Sequence, residues 1–421
     1  MRIVERVQMM GPGLVFALGS IGARDLISNS VAGSLVGLGM VWVLVLAVGA
    51  RYVLLDASAR YVLFTGETLL SGCSRLGRWP VIGMFTASLI RRHVSALTKV
   101  LLLGTAAHVV MPLPTEYSVA IWGVGSWCLG FVLLYWGRYV WVERVSRPMA
   151  AVLGLSLGAI AILSMPDLGR MVASLMPKAY PTDPGVKSQA VVVMAVLAAA
   201  IGSFSNLSYP AYVHEKGWRS KEAAAQQKLD LRVSIFLLFS MLVLVQVAAA
   251  GVLESRGLRV EKVEDLTAIY TEVLGAPGRI LFGVALRCAA FSSYISNGAG
   301  QGIMLADIYH RLIGKATEPK GDPKSAVELP AYRWSILFMF CSPVYVFFTG
   351  WTPMGLVLVY GLVSVLTLPI MASVILFLTC SRARMGEAAN GWVTNLILVA
   401  TIVCAAALSW QGAVDLFHES R

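Results

Sequence analysis

A chain of 421 residues that is 57% hydrophobic and only 14% charged, with a mean hydropathy of +0.73, leaves no soluble domain of useful size and reads as an all-α integral membrane protein. The net charge of +11 would suit nucleic acid, but lysine and arginine crowd the short loops of one side, as membrane orientation requires. Nucleic acid is therefore excluded as a partner and the lipid bilayer takes its place. Six scattered cysteines without C-x-x-C spacing read as small packing residues. The charged start followed by an apolar run, with no small-residue cleavage site, reads as a first span rather than a removable signal.

Residues 14–21 and 26–38 are apolar, and Gly22, Ala23, Arg24 and Asp25 lie between them. The stretch reads as a membrane helix broken near the bilayer midplane. Glycine lets the backbone leave the helix. An arginine and an aspartate at that depth cost about 2.5–3.5 kcal/mol each on insertion scales, so they face protein or a water-filled cavity. The plainer alternative is a first span that ends at Ile21, with Arg24 and Asp25 in an outer loop.

Windows of about 20 apolar residues give further spans over 39–64, 81–110, 119–136 and 149–165. After a proline-rich loop, a sixth span starts near Ser188, is apolar through Ile201, and meets Gly202 to Pro210. Pro210 interrupts a regular helix, and a short helix is expected to resume over 212–216. Five more spans follow over 233–253, 280–308, 335–348, 354–378 and 392–409, which makes eleven. A polar linker at 315–331 and an amphipathic outer helix at 261–274 join them; on the latter Val263, Leu266, Ile269, Tyr270 and Val273 share one face.

With the N-terminus cytoplasmic and the C-terminus outside, 19 basic residues fall in inner loops and 8 in outer ones. That asymmetry suits eleven spans in a bacterial-type plasma (inner) membrane. The odd count sets the first five spans and the next five in opposite orientations. Repeat one covers about 9–165, repeat two about 188–379, and an extra helix about 392–409. Interrupted spans at matching positions, the first and the sixth, are the pointer expected for an inverted-repeat secondary transporter that binds its substrate at the breaks.

Several motifs carry a family resemblance. Gly11, Pro12 and Gly13 open the first span; the run from Ala289 to Gly302 fills the eighth; Pro369 lies in the tenth, with Arg384 to Glu387 after it. In these features and in span order the chain resembles the natural-resistance-associated macrophage protein (NRAMP) family of metal transporters, which has the leucine-transporter fold. The resemblance implies a divalent metal ion as substrate. The family's first break reads Asp-Pro-Gly-Asn, and Gly22, Ala23, Arg24 and Asp25 stand in that register here. Its metal-ligating aspartate is thus a glycine, and its asparagine an aspartate. The family's Met-Pro-His in the sixth span has no counterpart; Asn206, Leu207, Ser208, Tyr209 and Pro210 occupy the region, and Tyr212 to His214 is similar to its Tyr-Leu-His. Without a thioether, selectivity for transition metals over hard ions loses its usual basis.

Seven cations lie within or near spans: Arg24, Arg51, Arg60, Arg91, Arg92, Lys99 and Arg287. Arg60 is expected to snorkel to the inner surface. Arg92 and Lys99 share a helical face by their seven-residue spacing. Ion pairs that lock the bundle are one reading of this set. The other is functional: Arg24 and Arg287 near the breaks repel a divalent cation, and either hold an anion or replace a co-transported cation as fixed charge. Asp25 is the candidate metal ligand, joined by Ser205, Asn206, Ser208 and backbone carbonyls, or else it neutralises Arg24.

His214 and Glu215, with Arg91 and Arg92, are candidates for coupling a proton or another ion; a solvated helix end is the plainer reading of the first two. Ser292, Ser293, Tyr294, Ser296 and Asn297 form a polar run in the eighth span, read as interhelical glue, as are Gly298 and Gly302. No nucleotide or cofactor motif occurs, and no nucleophile, metal cluster or carboxylate pair stands at catalytic spacing, so an enzyme is not expected. The expected function is alternating-access transport of a small ion or small polar solute. A metal ion is the implied substrate, and an anionic or zwitterionic solute held by the intramembrane arginines is the alternative. A scaffold that has lost transport would instead show a collapsed midplane with no polar cavity.

Overall fold

The computed structural model describes residues 12–75, 77–136, 139–164, 168–176, 196–197, 200–202, 204–218, 220–312 and 330–419. Among them, nine helices are long and apolar enough to cross a membrane. Their outward faces are apolar as well: Leu46, Leu155, Ile162 and Phe236 are each more than 60% exposed, which suits a surface solvated by lipid.

The first span is two helices, α1 (Pro12–Ser20) and α2 (Ala23–Val36). It is followed by α3 (Val41–Thr65), the short α4 (Leu69–Ser74), α5 (Arg78–Val110), α6 (Ser118–Trp136), α7 (Tyr139–Leu163) and α8 (Leu168–Ala173). The second half contains α9 (Ser208–Glu215), α10 (Ala224–Val252), α11 (Ala268–Leu274), α12 (Ala276–Leu312) and α13 (Pro330–Cys341). The chain ends with α14 (Pro353–Thr379), α15 (Arg382–Met385) and α16 (Trp392–Glu419). At 1.5 Å per residue α5 and α12 are each about 50 Å long, more than the hydrocarbon thickness. These two pack along one another, α12 also touches α1 and α2, and α14 packs on α5 and α3.

The first break is narrower than its sequence suggests. Ile21 N still donates to Ala17 O at 2.9 Å, and only Gly22 is extended, with φ −111° and ψ 171°. Asp25 N and Leu26 N then both donate to Gly22 O, at 3.0 and 3.1 Å. Ala23, Arg24 and Asp25, expected in unwound chain, therefore form the first turn of α2. Asp25 holds that turn by accepting from Gly22 N at 3.0 Å, the stabilising place for an acidic side chain.

At the sixth span, helix ends at Ile201 and Gly202 takes φ +70°. A 3-10 turn, Phe204–Leu207, leads directly into α9. Helix resumes earlier than the expected 212–216, because Pro210 falls in the first turn of α9, where an N–H would have no intrahelical partner anyway. The start expected near Ser188 lies outside the described residues.

Three other expectations meet the structure. The ninth span is not one helix over 335–348: α13 stops at Cys341, before Pro343, and a 3-10 turn covers Val344–Phe348. Arg60 does not snorkel; it donates to Asp56 Oδ2 at 2.8 Å, Ala388 O at 2.7 Å and Asn390 Oδ1 at 2.9 Å, fastening α3 to the turn after α15. The outer amphipathic segment forms a 3-10 turn, Val263–Thr267, followed by α11, with Val263, Leu266, Ile269 and Tyr270 buried as expected.

Gly202 is the test of the sixth break. A Cβ there would lie 3.0 Å from Asn206 Oδ1 and 3.2 Å from Arg51 Nη2, on a backbone that L-residues rarely adopt. G202V is expected to lose about 1–3 kcal/mol of stability. Gly49, inside α3 with nothing near its missing Cβ, serves as control: G49A should be neutral or stabilising. Thermal unfolding in detergent reads both, and equal responses would contradict the assignment.

Candidate functional site

Ser20 at the end of α1 and Gly22, Ala23, Arg24 and Asp25 around the break form one wall of a cavity. Arg51 of α3, Thr98, Lys99 and Leu102 of α5, and Ser205 of the sixth break form another. Ala290, Ser293 and Asn297 of α12 and Tyr360 of α14 complete it. The volume is about 30 Å³, room for about two waters or one small ion. Thus a polar cavity lies beside the break of the first span, where a scaffold would show a collapsed contact.

Arg24 Nη2 donates to Asp25 Oδ1 at 2.9 Å and Nη1 to Ser364 Oγ at 3.3 Å. Its Cζ sits 4.6 Å from the centre of the Tyr360 ring. Arg91 approaches the same ring, with Cζ at 5.3 Å, and donates from Nη2 to Tyr360 Oη at 2.7 Å. One tyrosine therefore stands close to two guanidiniums, a favourable neighbour for cations. Lys99 Nζ donates to Ser293 O at 3.1 Å. Asn297 Nδ2 donates to Ser293 Oγ at 3.2 Å, one helical turn along.

Arg51 is only 2% exposed and reaches three oxygens: Nη2 to Ser20 Oγ at 2.8 Å, Nε to Asn206 Oδ1 at 3.0 Å, and Nη1 to Ala200 O at 3.1 Å. Its Cζ lies 5.0 Å from the Phe16 ring centre. Asn206 completes the arrangement by donating from Nδ2 to Ile201 O at 2.9 Å.

Of the residues singled out in the sequence, Gly22, Ala23, Arg24, Asp25 and Ser205 meet at the cavity. Asn206 serves Arg51 instead of lining it. Leu207 is buried in the core, and Ser208 packs where a Cβ on Gly300 would strike it. Tyr209 turns toward Phe16, at 5.6 Å between ring centres, and toward Asp230, with Oη 3.4 Å from Oδ2. Arg287 is half-buried and does not line the cavity, because it falls on another face of α12 than Ser293 and Asn297.

Arg92 does not join Lys99. The two are separated by two helical turns along α5, and Arg92 Nη2 donates to Ser335 O of α13 at 3.2 Å. His214 is half-buried away from the cavity, and the Glu215 side chain lies outside the described residues. Asp25 has both oxygens engaged, by Arg24 and by Gly22 N. Among the described residues no three of His, Cys, Asp and Glu come together as metal ligands.

The polar run of α12 divides: Ser293 and Asn297 face the cavity, whereas Ser296 bonds Ser146 Oγ at 3.0 Å and Tyr294 stacks on Trp127. Gly298 and Gly302 sit at close helix contacts as expected. Sequence reasoning assigned no site role to Arg51, Lys99 or Tyr360. For the first two the signal was present, a cation inside an apolar run.

Residues 13–415 match the profile of the family described as natural resistance-associated macrophage protein-like. The chain belongs to this family. Its fold is leucine-transporter-like. It is 22% identical over 311 residues, 71% of each chain, to the divalent metal cation transporter MntH of Caldanaerobacter subterraneus subsp. tengcongensis. To MntH of Pectobacterium carotovorum subsp. carotovorum it is 21% identical over 402 residues, 93% of this chain and 90% of the relative.

In structure it is similar to a manganese transporter of Eremococcus coleocola, with a TM-score of 0.76, 15% identity, and coverage of 95% of this chain and 84% of that one. It also resembles MhsT in complex with L-phenylalanine, with a TM-score of 0.63, 14% identity, and coverage of 95% and 96%. This is a divergent member of the family, 21–22% identical to the two MntH relatives.

Tyr360→Phe keeps the ring beside Arg24 and Arg91 and removes the oxygen that accepts from Arg91 and also bonds Ser95. A hydrogen bond to a buried charge is worth about 1.5–3 kcal/mol, so unfolding should shift by an amount of that order. An unchanged transition would mean that Arg91 is held by the ring face alone.

Proposed function

We propose that this chain is a secondary transporter working by alternating access, its substrate bound between the breaks of the first and sixth spans. Nine long helices and the two broken spans make eleven, read as inverted repeats over about 9–165 and 188–379 with an extra helix at about 392–409. We place the N-terminus in the cytoplasm and the C-terminus outside, on the 19-to-8 loop asymmetry in basic residues.

The substrate carries negative charge, as a small anion or as the anionic group of a zwitterionic solute. The cavity lining carries this reading: Arg24, Arg51 and Lys99 contribute three positive charges against one negative charge from Asp25. Two unit charges about 6 Å apart interact by about 3 kcal/mol at an effective dielectric constant near 20. A dication facing a net charge of +2 is then opposed by roughly 10 kcal/mol, and a monoanion is favoured by roughly 5 kcal/mol, before either leaves water. With Lys99 neutral the sum is still +1. The N-terminal ends of α2 and α9 add positive dipole ends near the same breaks.

A second reading, a divalent metal ion, is favoured by the relatives described as divalent metal cation transporters and by Asp25 on the cavity wall. Binding to purified protein separates the two. Sodium chloride, nitrate, formate, acetate and phosphate are titrated calorimetrically, and manganese, magnesium and calcium are titrated at fixed anion. Saturable binding of an anion, lost in Arg24→Ala, is the expected result. Saturable dication binding that disappears in Asp25→Ala would overturn the anionic substrate and restore the metal.

A further inference from the structure

We infer that Arg51 supplies, as a covalently fixed charge, the cation around which the two breaks are assembled, so the carrier needs no mobile alkali cation to hold them. The inference uses the alternating-access reading, in which the breaks are the moving part, but not the sign of the substrate.

Arg51 is the eleventh residue of α3 (Val41–Thr65), about 15 Å from the start of that helix, and hence deep in the hydrocarbon layer. Its three acceptors come from the two interrupted spans. Ser20 is the last residue of α1, and Ala200 is the penultimate helical residue before Gly202. Both belong to the C-terminal ends of first half-helices, where unpaired carbonyls give a partial negative charge. Asn206 stands in the turn that begins the second half of the sixth span.

Carbonyl-bearing half-helix ends and hydroxyl or amide oxygens that converge on one point make a cation site in a carrier with broken helices. Here the guanidinium fills that point, with contacts of 2.8, 3.0 and 3.1 Å. No carboxylate forms an ion pair with Arg51 among the described residues; its direct partners are these oxygens and the Phe16 ring face, with Asp25 a more distant opposite charge. Gly202 makes room: its left-handed φ and missing side chain leave the space that Arg51 Nη2 and Asn206 Oδ1 take. Arg51 is therefore a positioning residue that ties Ser20 of the first span to Ala200 and Asn206 of the sixth, and motion at one break is transmitted to the other through it.

Thermal unfolding of the full-length protein in detergent tests this at constant chloride, in sodium, potassium or choline. The wild type should unfold at the same temperature in all three. Arg51→Ala should unfold at a lower temperature and regain a few degrees, saturably, with sodium or with methylguanidinium chloride, each filling the vacated site; Arg51→Lys should keep the wild-type indifference. Saturable stabilisation of the wild type by sodium or potassium would overturn the inference, and so would an Arg51→Ala protein that responds to neither addition. Where Arg51→Ala does not fold, Arg51→Lys decides: a folded, sodium-indifferent protein supports the fixed charge, and a protein that fails in the same way refutes it. Lack of transport in proteoliposomes would refute alternating access while leaving these responses intact.

Discussion

The arrangement of this bundle turns on how positive charge is held in its apolar middle. Arg24, Arg51, Arg91, Arg92 and Lys99 are drawn into helices that otherwise carry almost no charge, and Asp25 is the one carboxylate among the residues that line the cavity. A guanidinium left bare at that depth would unfold the span that carries it or draw water in. Each of these cations is instead given oxygen: Arg24 the Asp25 carboxylate, Arg51 two helix ends and an amide, Arg91 a phenol, Arg92 a carbonyl of α13, Lys99 a carbonyl of α12. Those partners come from seven different segments, so satisfying the charges also fixes how the segments meet.

This accounts for the narrow breaks. A wide unwound stretch would free several carbonyls and N–H groups, each needing a partner in a place without water. At the first break a single extended residue suffices, and its N–H is taken by Asp25. At the sixth, the described residues of the break are one left-handed glycine and a single 3-10 turn, and the nearby carbonyls of Ala200 and Ile201 are taken by Arg51 and Asn206. The cavity is small because so little backbone has left the helix. Its polarity comes from side chains, with Ser293 and Asn297 presented from an unbroken α12.

Features set by local pattern were legible in the sequence. The long spans follow from apolar length, both breaks from glycine and polar residues inside apolar runs, and the inward stripe of the 263–273 segment from its spacing. Features set by pairing over distance were not. Arg51 stood out as a cation within a span, but its partners lie 31 and 155 residues away, at Ser20 and Asn206, and nothing in α3 names them. The choice between Arg24 and Arg287 depended on the rotation of α12 about its axis, which neighbouring helices set. Whether Ser293 and Asn297 glue helices or line a cavity was open for the same reason: a serine one turn from an asparagine is the same pattern in either role.

Family membership and the charge of the site are separate properties of this chain. The fold is shared with a manganese transporter and with a protein solved with L-phenylalanine, because broken spans, crossing helices and half-helix ends are properties of the backbone. Half-helix ends of both signs meet at the breaks, so the scaffold can serve a cation or an anion, and side chains decide between them. At the first break of this chain Gly22 is followed by a paired Arg24–Asp25. Arg51 meanwhile holds the Ala200 carbonyl and the Ser20 hydroxyl at the ends of the first half-helices, while Asp25 caps the positive end of α2. On the reading proposed above, the cations that remain at the cavity wall, Arg24 and Lys99, are the groups that would meet an anion.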